Sequence, residues 1–355
     1  MNATSVVNIV PRPLDGYFFE DYRQGQRFLH ATPRTITAGD VALYIALTGA
    51  RQPLHCASTV AQALGYTHCP IDDLLLFNIA FGKTVPDISY NAVANLGYAD
   101  CRFLLPVTVG DTIRAETEIV GIKENSSGKS GVVYVRSNAF NQRDEAVLTW
   151  ARWVMVNKRT GAPPTPTLAP SPIPEFPAFV AKERLAMPAF LQAAPTLARD
   201  SGGARAWDDY QAGEVIHHPA GMTIDNSDHT LATKLYQNTA RVHFDQLHMQ
   251  GSRFQQRLIY GGHIISVCRA LSYDGLENAL SILAINSGSH TAPTFAGDTV
   301  HASSRVIDKW VLNEKFGALR MQLDGFKNWS PAANTTPSPE HTVLTLDYTL
   351  LMPRH

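Results

Sequence analysis

Net charge, cysteine and long apolar runs are all scarce in this chain of 355 residues, and each shortage closes off a class of function. Thirty basic and 31 acidic side chains leave a formal net charge of −1, with no basic run. A nucleic acid or an anionic membrane would need a concentrated positive surface, so neither partner is expected. No apolar stretch reaches the ~18 residues that cross a bilayer. The N-terminus, MNATSVVNIVPRPLDGYFF, lacks a charged region followed by an apolar one, and a cytoplasmic chain is expected. Cys56, Cys69, Cys101 and Cys268 are scattered without C-x-x-C spacing, which reads as reduced, buried thiols and against a metal site or disulfide framework. What remains, at 45% hydrophobic and 17% charged, is an ordinary globular composition with room for two cores.

The chain contains itself twice. FFEDYRQGQRF returns as AWDDYQAGEVI, carrying Asp21, Tyr22 and Gly25 to Asp209, Tyr210 and Gly213 at an offset of 188. The same offset relates RTITAGD to MTIDNSD, His55 to His243 and Ile71 to Ile259. PVTVGDTIRAETEIV returns as PTFAGDTVHASSRVI at offset 187, and EAVLTWARWVMV as HTVLTLDYTLLM at offset 196. Matches kept in one order, with small drifts at loops, mark an internal duplication.

Between the copies, Arg159 to Phe179 holds seven prolines, which forbid a helix or central strand and predict an extended polyproline crossing. In each copy a TAGD- or DNSD-type cap opens a short helix, and a loop carrying the histidine follows. Next come an apolar central helix and several runs rich in Val, Ile, Thr and aromatics. Strands around one helix predict an α+β domain, with a curved antiparallel sheet wrapped on that helix and two copies side by side extending each other's sheets. Gly110-Asp111 and Gly297-Asp298 read as turns.

TGARQPLHC, PIDDLL and CRFLLPVTVGDT in the first copy match QNTARVHFD, LIYGGH and HTAPTFAGDT in the second. This order resembles the MaoC-like hot-dog dehydratase and hydratase family, and the tandem arrangement resembles its double hot-dog members. Within that family the run PIDDLLLFNIAFGKTVPDISYNAVANLGYADCRFLLPV is similar to mesaconyl-CoA hydratases, also described as β-methylmalyl-CoA dehydratases. The resemblance implies an extension over 1–16 and a first hot-dog over 17–158 with a degenerate site. It further implies a linker over 159–204 and a catalytic hot-dog over 205–355.

It also implies a hydro-lyase that adds water to a 2-enoyl-CoA without metal or redox cofactor, coenzyme A entering only within the substrate. Such chemistry activates water, protonates the α-carbon and stabilises an enolate-like thioester oxygen. The family uses an Asp, a His five residues later, and a backbone N–H at the central helix start, where the helix dipole favours negative charge. Here the His is His55 and His243, the Asp is replaced by Ala50 and Asn238, and the helix-entry glycine matches Gly262 but Asp73 in the first copy.

His243, Asn238 and Gly262 are therefore the expected catalytic set, with Arg241, His263, Tyr260, His55 and Asp73 as substrate-binding candidates. Mesaconyl-CoA carries a free carboxylate beside the incoming water, so a neutral Asn would avoid like-charge repulsion. Arg241 suits bidentate recognition of that carboxylate. Alternative readings are a packing role for His263, a helix-dipole role for Asp72 and Asp73 or a carboxylate lent to a composite cleft, and a loop cap for Asp245. For the whole protein they are an (R)-specific 2-enoyl-CoA hydratase of other chain length and a non-catalytic acyl-CoA-binding protein; a thioesterase is a weaker possibility. The fused pair supplies an intrachain pseudo-dimer, with a homodimer of chains equally open.

Overall fold

The repeated D-Y-x-x-G stretches tie each central helix to its own sheet. A computed structural model describes residues 12–163, 173–333 and 335–355; the first eleven residues and the middle of the proline-rich crossing lie outside these. In it, Tyr22 donates its hydroxyl hydrogen to the Ile88 carbonyl (3.0 Å), and Tyr210 likewise to Gly275 (2.8 Å). Gly25 and Gly213 donate to Ile119 and Val306, both at 2.8 Å. A buried phenol and a fixed turn thus clamp the start of each copy onto the end of its helix.

Copy one runs β1 (Arg27–Thr35), α1 (Ala38–Thr48), α2 (Pro53–Cys56), α3 (Ser58–Ala63), α4 (Asp73–Ile88), β2 (Ala92–Phe103), β3 (Thr112–Glu124), β4 (Ser130–Phe140) and β5 (Ala146–Asn157). After α5 (Leu197–Ser201), copy two runs β6 (Val215–Thr223), α6 (Asn226–Leu235), α7 (Arg241–Phe244), α8 (Gln246–Gln250), α9 (Gly261–Leu271), β7 (Ile282–Ser289), β8 (Thr299–Val311), β9 (Phe316–Lys327) and β10 (Thr342–Pro353). The ten strands form one sheet in the order β1-β3-β4-β5-β2-β7-β10-β9-β8-β6, which reads the same way inward from either edge. At its centre β2 and β7 pair antiparallel, Tyr98 opposite Gly288 and Arg102 opposite Ala284, so each copy does extend the other's sheet. These are the strands of a double hot-dog.

Thr37 accepts from the Asp40 N–H (3.2 Å) while Asp40 accepts from the Thr37 N–H (2.8 Å), the reciprocal cap that TAGD predicts for α1. The Gly-Asp turns are equally matched: Asp111 accepts from Thr108 N–H and Asp298 from Phe295 N–H, both at 2.9 Å. α4 buries thirteen of its sixteen residues, as an all-round apolar helix must. Each buried Leu or Phe there contributes about 1.5–3 kcal/mol.

Two expectations need correcting. The histidines sit on one-turn helices, α2 and α7, and not on loops, because Pro53 and the turn before Arg241 start a helix that the chain then leaves. The four cysteines are free, but Cys56, the last residue of the otherwise buried α2, is exposed and Cys69 is half-buried; Cys101 and Cys268 are buried as expected. Among the described residues no helix is long and apolar enough to cross a membrane.

Candidate active site

α4 and α9 pack on each other across a pseudo-twofold axis, and equivalent positions meet there. Asn78 Nδ2 donates to Ser266 Oγ (3.0 Å) and to the Gly262 carbonyl (3.3 Å). Residue type then decides what each helix start presents.

At α4 the N-cap is Asp72, whose carboxylate accepts from the Leu74 N–H (2.8 Å) and from the Tyr44 hydroxyl (3.1 Å). At α9 the N-cap is Tyr260, which makes no side-chain cap bond. These caps set the register: Asp73 corresponds to Gly261, and Gly262 to Leu74. The expected match of Gly262 with Asp73 is thus one residue out, because both helices start one residue after their caps. In copy one the N–H aimed at an incoming oxyanion is consumed by an internal carboxylate. In copy two the His263 N–H donates to the Tyr260 carbonyl (2.9 Å), while the Gly261 and Gly262 N–H groups keep the open valences of a helix start. Gly262 is required there by space, since a methyl group would collide with Asn78 Oδ1 and the Tyr260 ring.

The histidines differ in the same sense. His243 Nδ1 donates to the Leu258 carbonyl (2.9 Å), which fixes the tautomer and leaves the Nε2 lone pair as the basic site. Burial pushes its pKa down to about 4 against the opposing pull of that carbonyl, so the ring is neutral at pH 7. His55 makes the equivalent bond to Pro70 (3.2 Å), but its Nε2 lies 3.6 Å from Asp73, which also accepts from Ile282 N–H (2.7 Å). Burial alone would lower His55, yet the Asp73 carboxylate outweighs it and the pKa is raised. Asp72 is committed within copy one, and Asp73 is shared between His55 and the Ile282 N–H of copy two. The space beside His55 and Asp73 is about 40 Å³, room for water and not for a thioester.

Around His243 the structure gathers two of the expected candidates, Tyr260 and His263, together with His229, His290 and Tyr98, which the two-copy motif did not single out. The Tyr260 ring lies 5.5 Å from the imidazole and the His229 ring 6.4 Å, nearly edge-on. His263 is buried with Nδ1 3.3 Å from the Tyr236 hydroxyl, and His290 Nε2 is 3.5 Å from the hydroxyl of Tyr98, a copy-one residue. Burial holds His263 and His290 near 4 and His229 near 3, with the His243 charge the second cause for His290 and His229. Tyr260 Oη, His263 Nε2 and His229 Nε2 are buried without a protein partner. Each such atom costs about 1–3 kcal/mol, so two at the start of α9, with a third on α6 in ring contact with His243, mark a place built for a polar ligand. The available signal was asymmetry: at offset 188, His229 corresponds to Val41 and His263 to Leu75.

Asn238 is buried, and its Oδ1 accepts from Ala240 N–H (3.1 Å), shaping the turn into α7 and leaving the side-chain NH2 as a donor. Arg241 stacks on Tyr90 of copy one (4.6 Å to the ring centroid) and pairs with no carboxylate among the described residues. Asp245 accepts from His248 N–H (3.0 Å), the cap it was expected to be.

Two fused hot-dog folds, with a neutral histidine facing one open helix start, define a MaoC-like double hot-dog protein of the hydratase and dehydratase class. The mesaconyl-CoA hydratase family profile matches residues 4–327. A β-methylmalyl-CoA dehydratase of Chloroflexus aurantiacus is 48% identical, covering 96% of this chain and 97% of that protein. A mesaconyl-CoA hydratase of Cereibacter sphaeroides is 48% identical, covering 96% and 98%. The crystal structure of a MaoC domain dehydratase from Chloroflexus aurantiacus superposes with a TM-score of 0.90 at 47% identity, covering 98% of this chain and 100% of that one. A Mycobacterium tuberculosis protein with a double hot-dog fold has a TM-score of 0.78 at 25% identity, covering 96% and 99%. The chain belongs to the mesaconyl-CoA hydratase family.

Proposed function

We propose that the protein reversibly hydrates mesaconyl-CoA to β-methylmalyl-CoA at the copy-two site. One observation carries the assignment of the copy: the helix-start N–H of Leu74 is taken by Asp72, whereas that of Gly262 faces no side-chain acceptor and lies beside a neutral histidine. His243 Nε2 accepts a proton from water as the water oxygen bonds to the β-carbon. The electron pair of the double bond moves to the thioester oxygen, held by the Gly262 N–H at the positive end of the helix dipole. The imidazolium then returns a proton to the α-carbon, restoring the neutral ring.

Asn238 donates from its NH2 to hold the water without adding negative charge. Arg241, seated over the Tyr90 ring and paired with no carboxylate among the described residues, receives the second carboxylate of the substrate. Tyr260, whose pKa burial holds well above its ordinary value, stays protonated and donates from Oη; His263 shapes the pocket from below. The chain needs no metal or redox group for this sequence of steps, and its four free thiols suit a reducing cytoplasm.

The test follows loss of the enoyl-thioester absorbance with mesaconyl-CoA and crotonyl-CoA, with His243→Ala as control. Rapid loss with mesaconyl-CoA that vanishes in the variant is expected. Tight binding with no loss in the unaltered protein would instead identify an acyl-CoA-binding protein.

A further inference from the structure

A second asymmetry lies outside the reacting groups. Between the copies a cleft of about 320 Å³ is lined by Ala31, Thr32, Lys83 and Pro86 of copy one and by Lys234, Gln237, Thr239 and Phe244 of copy two. Its copy-two wall is the segment that carries the proposed catalytic residues: Gln237 and Thr239 flank Asn238, and Phe244 follows His243 at the end of α7. Gly82 brings α4 against the Tyr236 carbonyl so closely that a methyl group would collide with it. That contact sets Lys83 directly beside this loop.

Lys83 is 3% exposed, its ammonium donates to the Thr32 carbonyl (2.6 Å), and no carboxylate pairs with it among the described residues. Burial, with the Arg34 charge second, pushes its pKa down to about 8. Arg34 is already spent on Asp40 and the Leu235 carbonyl. A buried ammonium with one carbonyl partner is costly unless an anion joins it.

The duplication supplies an internal control. At offset 188 the equivalents of Lys83, Lys234 and Pro86 are Leu271, Ala46 and Asp274. There both lysines are gone, and an acid and an arginine have been gained, Asp274 and Arg51, the equivalent of Thr239, which pair at 3.3 Å. The two-lysine cleft therefore exists on the side of the open helix start, and at its counterpart the one cation is paired with an acid. A feature of the shared fold would appear in both copies; this one follows the catalytic half.

We infer that the cleft is an anion subsite assembled by both copies, in which Lys83 and Lys234 hold an oxyanion of the acyl-CoA, either a phosphate of its coenzyme portion or, together with Arg241, the free carboxylate of its acyl portion. The inference rests on the acyl-CoA reading given above. It assigns copy one a direct part in binding, through a cation that copy two lacks at the equivalent position.

Calorimetric titration separates the sources with three ligands: free coenzyme A (phosphates), mesaconyl-pantetheine (carboxylate) and crotonyl-pantetheine (neither). Lys83→Met is expected to weaken the anion-bearing ligand about 30-fold. Lys234→Met, an exposed change that leaves the core untouched, is expected to weaken it about threefold. Crotonyl-pantetheine should bind unchanged. Weakening confined to coenzyme A names the phosphates, and weakening confined to mesaconyl-pantetheine names the carboxylate. Equal weakening of all three ligands, or none, in both variants overturns the subsite while leaving the acyl-CoA reading standing. An unaltered protein that binds none of the three removes that reading and the subsite together.

Discussion

Asp72 and Tyr260 occupy the same capping position in two copies of one fold, and a carboxylate in one place against a phenol in the other separates a closed helix start from an open one. The carboxylate satisfies an orphan N–H and stabilises its helix; the phenol leaves that valence open for an outside oxygen. His55 and His243 follow suit. One is held by an acid, the other is kept neutral by burial. On the function proposed above, a duplicated scaffold divides stability and function by single substitutions at helix starts while the surrounding strands keep the same order.

The most severe test of the comparison removes each histidine. His243→Ala is expected to lower kcat by about 10²–10⁴-fold, the usual loss for a general base, whereas His55→Ala should stay within a few-fold. Comparable losses in the two variants, measured by steady-state hydration, would abolish the distinction between the copies. Tyr260→Asp converts the open start into the closed one. Its carboxylate should occupy the Gly262 N–H, raise stability by about 0.5–2 kcal/mol as a cap does, and lower kcat about 10²-fold. Denaturant unfolding and rates read on the same protein decide this, and an unchanged kcat would show that the N–H is not used. Asp72→Ala should lose about 1 kcal/mol with no effect on turnover.

Asn238→Asp sharpens the substrate side: turnover should rise with crotonyl-CoA and fall with mesaconyl-CoA, and parallel changes on both would remove the charge argument. The pH dependence of unfolding is the mildest probe. His229 and His263 have folded pKa values below the unfolded 6.5, so the unfolded chain binds protons that the folded chain does not. Stability should therefore fall as pH drops from about 6.5 toward 4, by roughly 1.4 kcal/mol per pH unit for each histidine. His263→Gln should flatten that slope by one proton in urea titrations. His55, raised by Asp73, runs the other way: its stabilisation is present below 6.5 and is lost as pH rises through the raised value.

The duplication, the α+β class and the histidine pair were legible because they depend on local pattern: caps, Gly-Asp turns, alternating strands and a constant offset. The site was legible in part. His243 and Gly262 stand in a motif, but His229, His290, Tyr98 and Lys83 come from four separate segments, and no spacing relates them. The match of Gly262 with Asp73 was one residue out although the offset of 188 carries Asp73 to Gly261, and the caps Asp72 and Tyr260 confirm that register.

Taken alone, the order of residues determined that two similar domains would form and that the second kept more of the reacting groups, because short-range sterics and periodicity act along the chain. Tertiary structure decided which helix start remained open, which histidine was neutral, and that a lysine of one copy would stand beside the loop of the other. Burial and the meeting of distant side chains exist only once the sheet has closed around both helices.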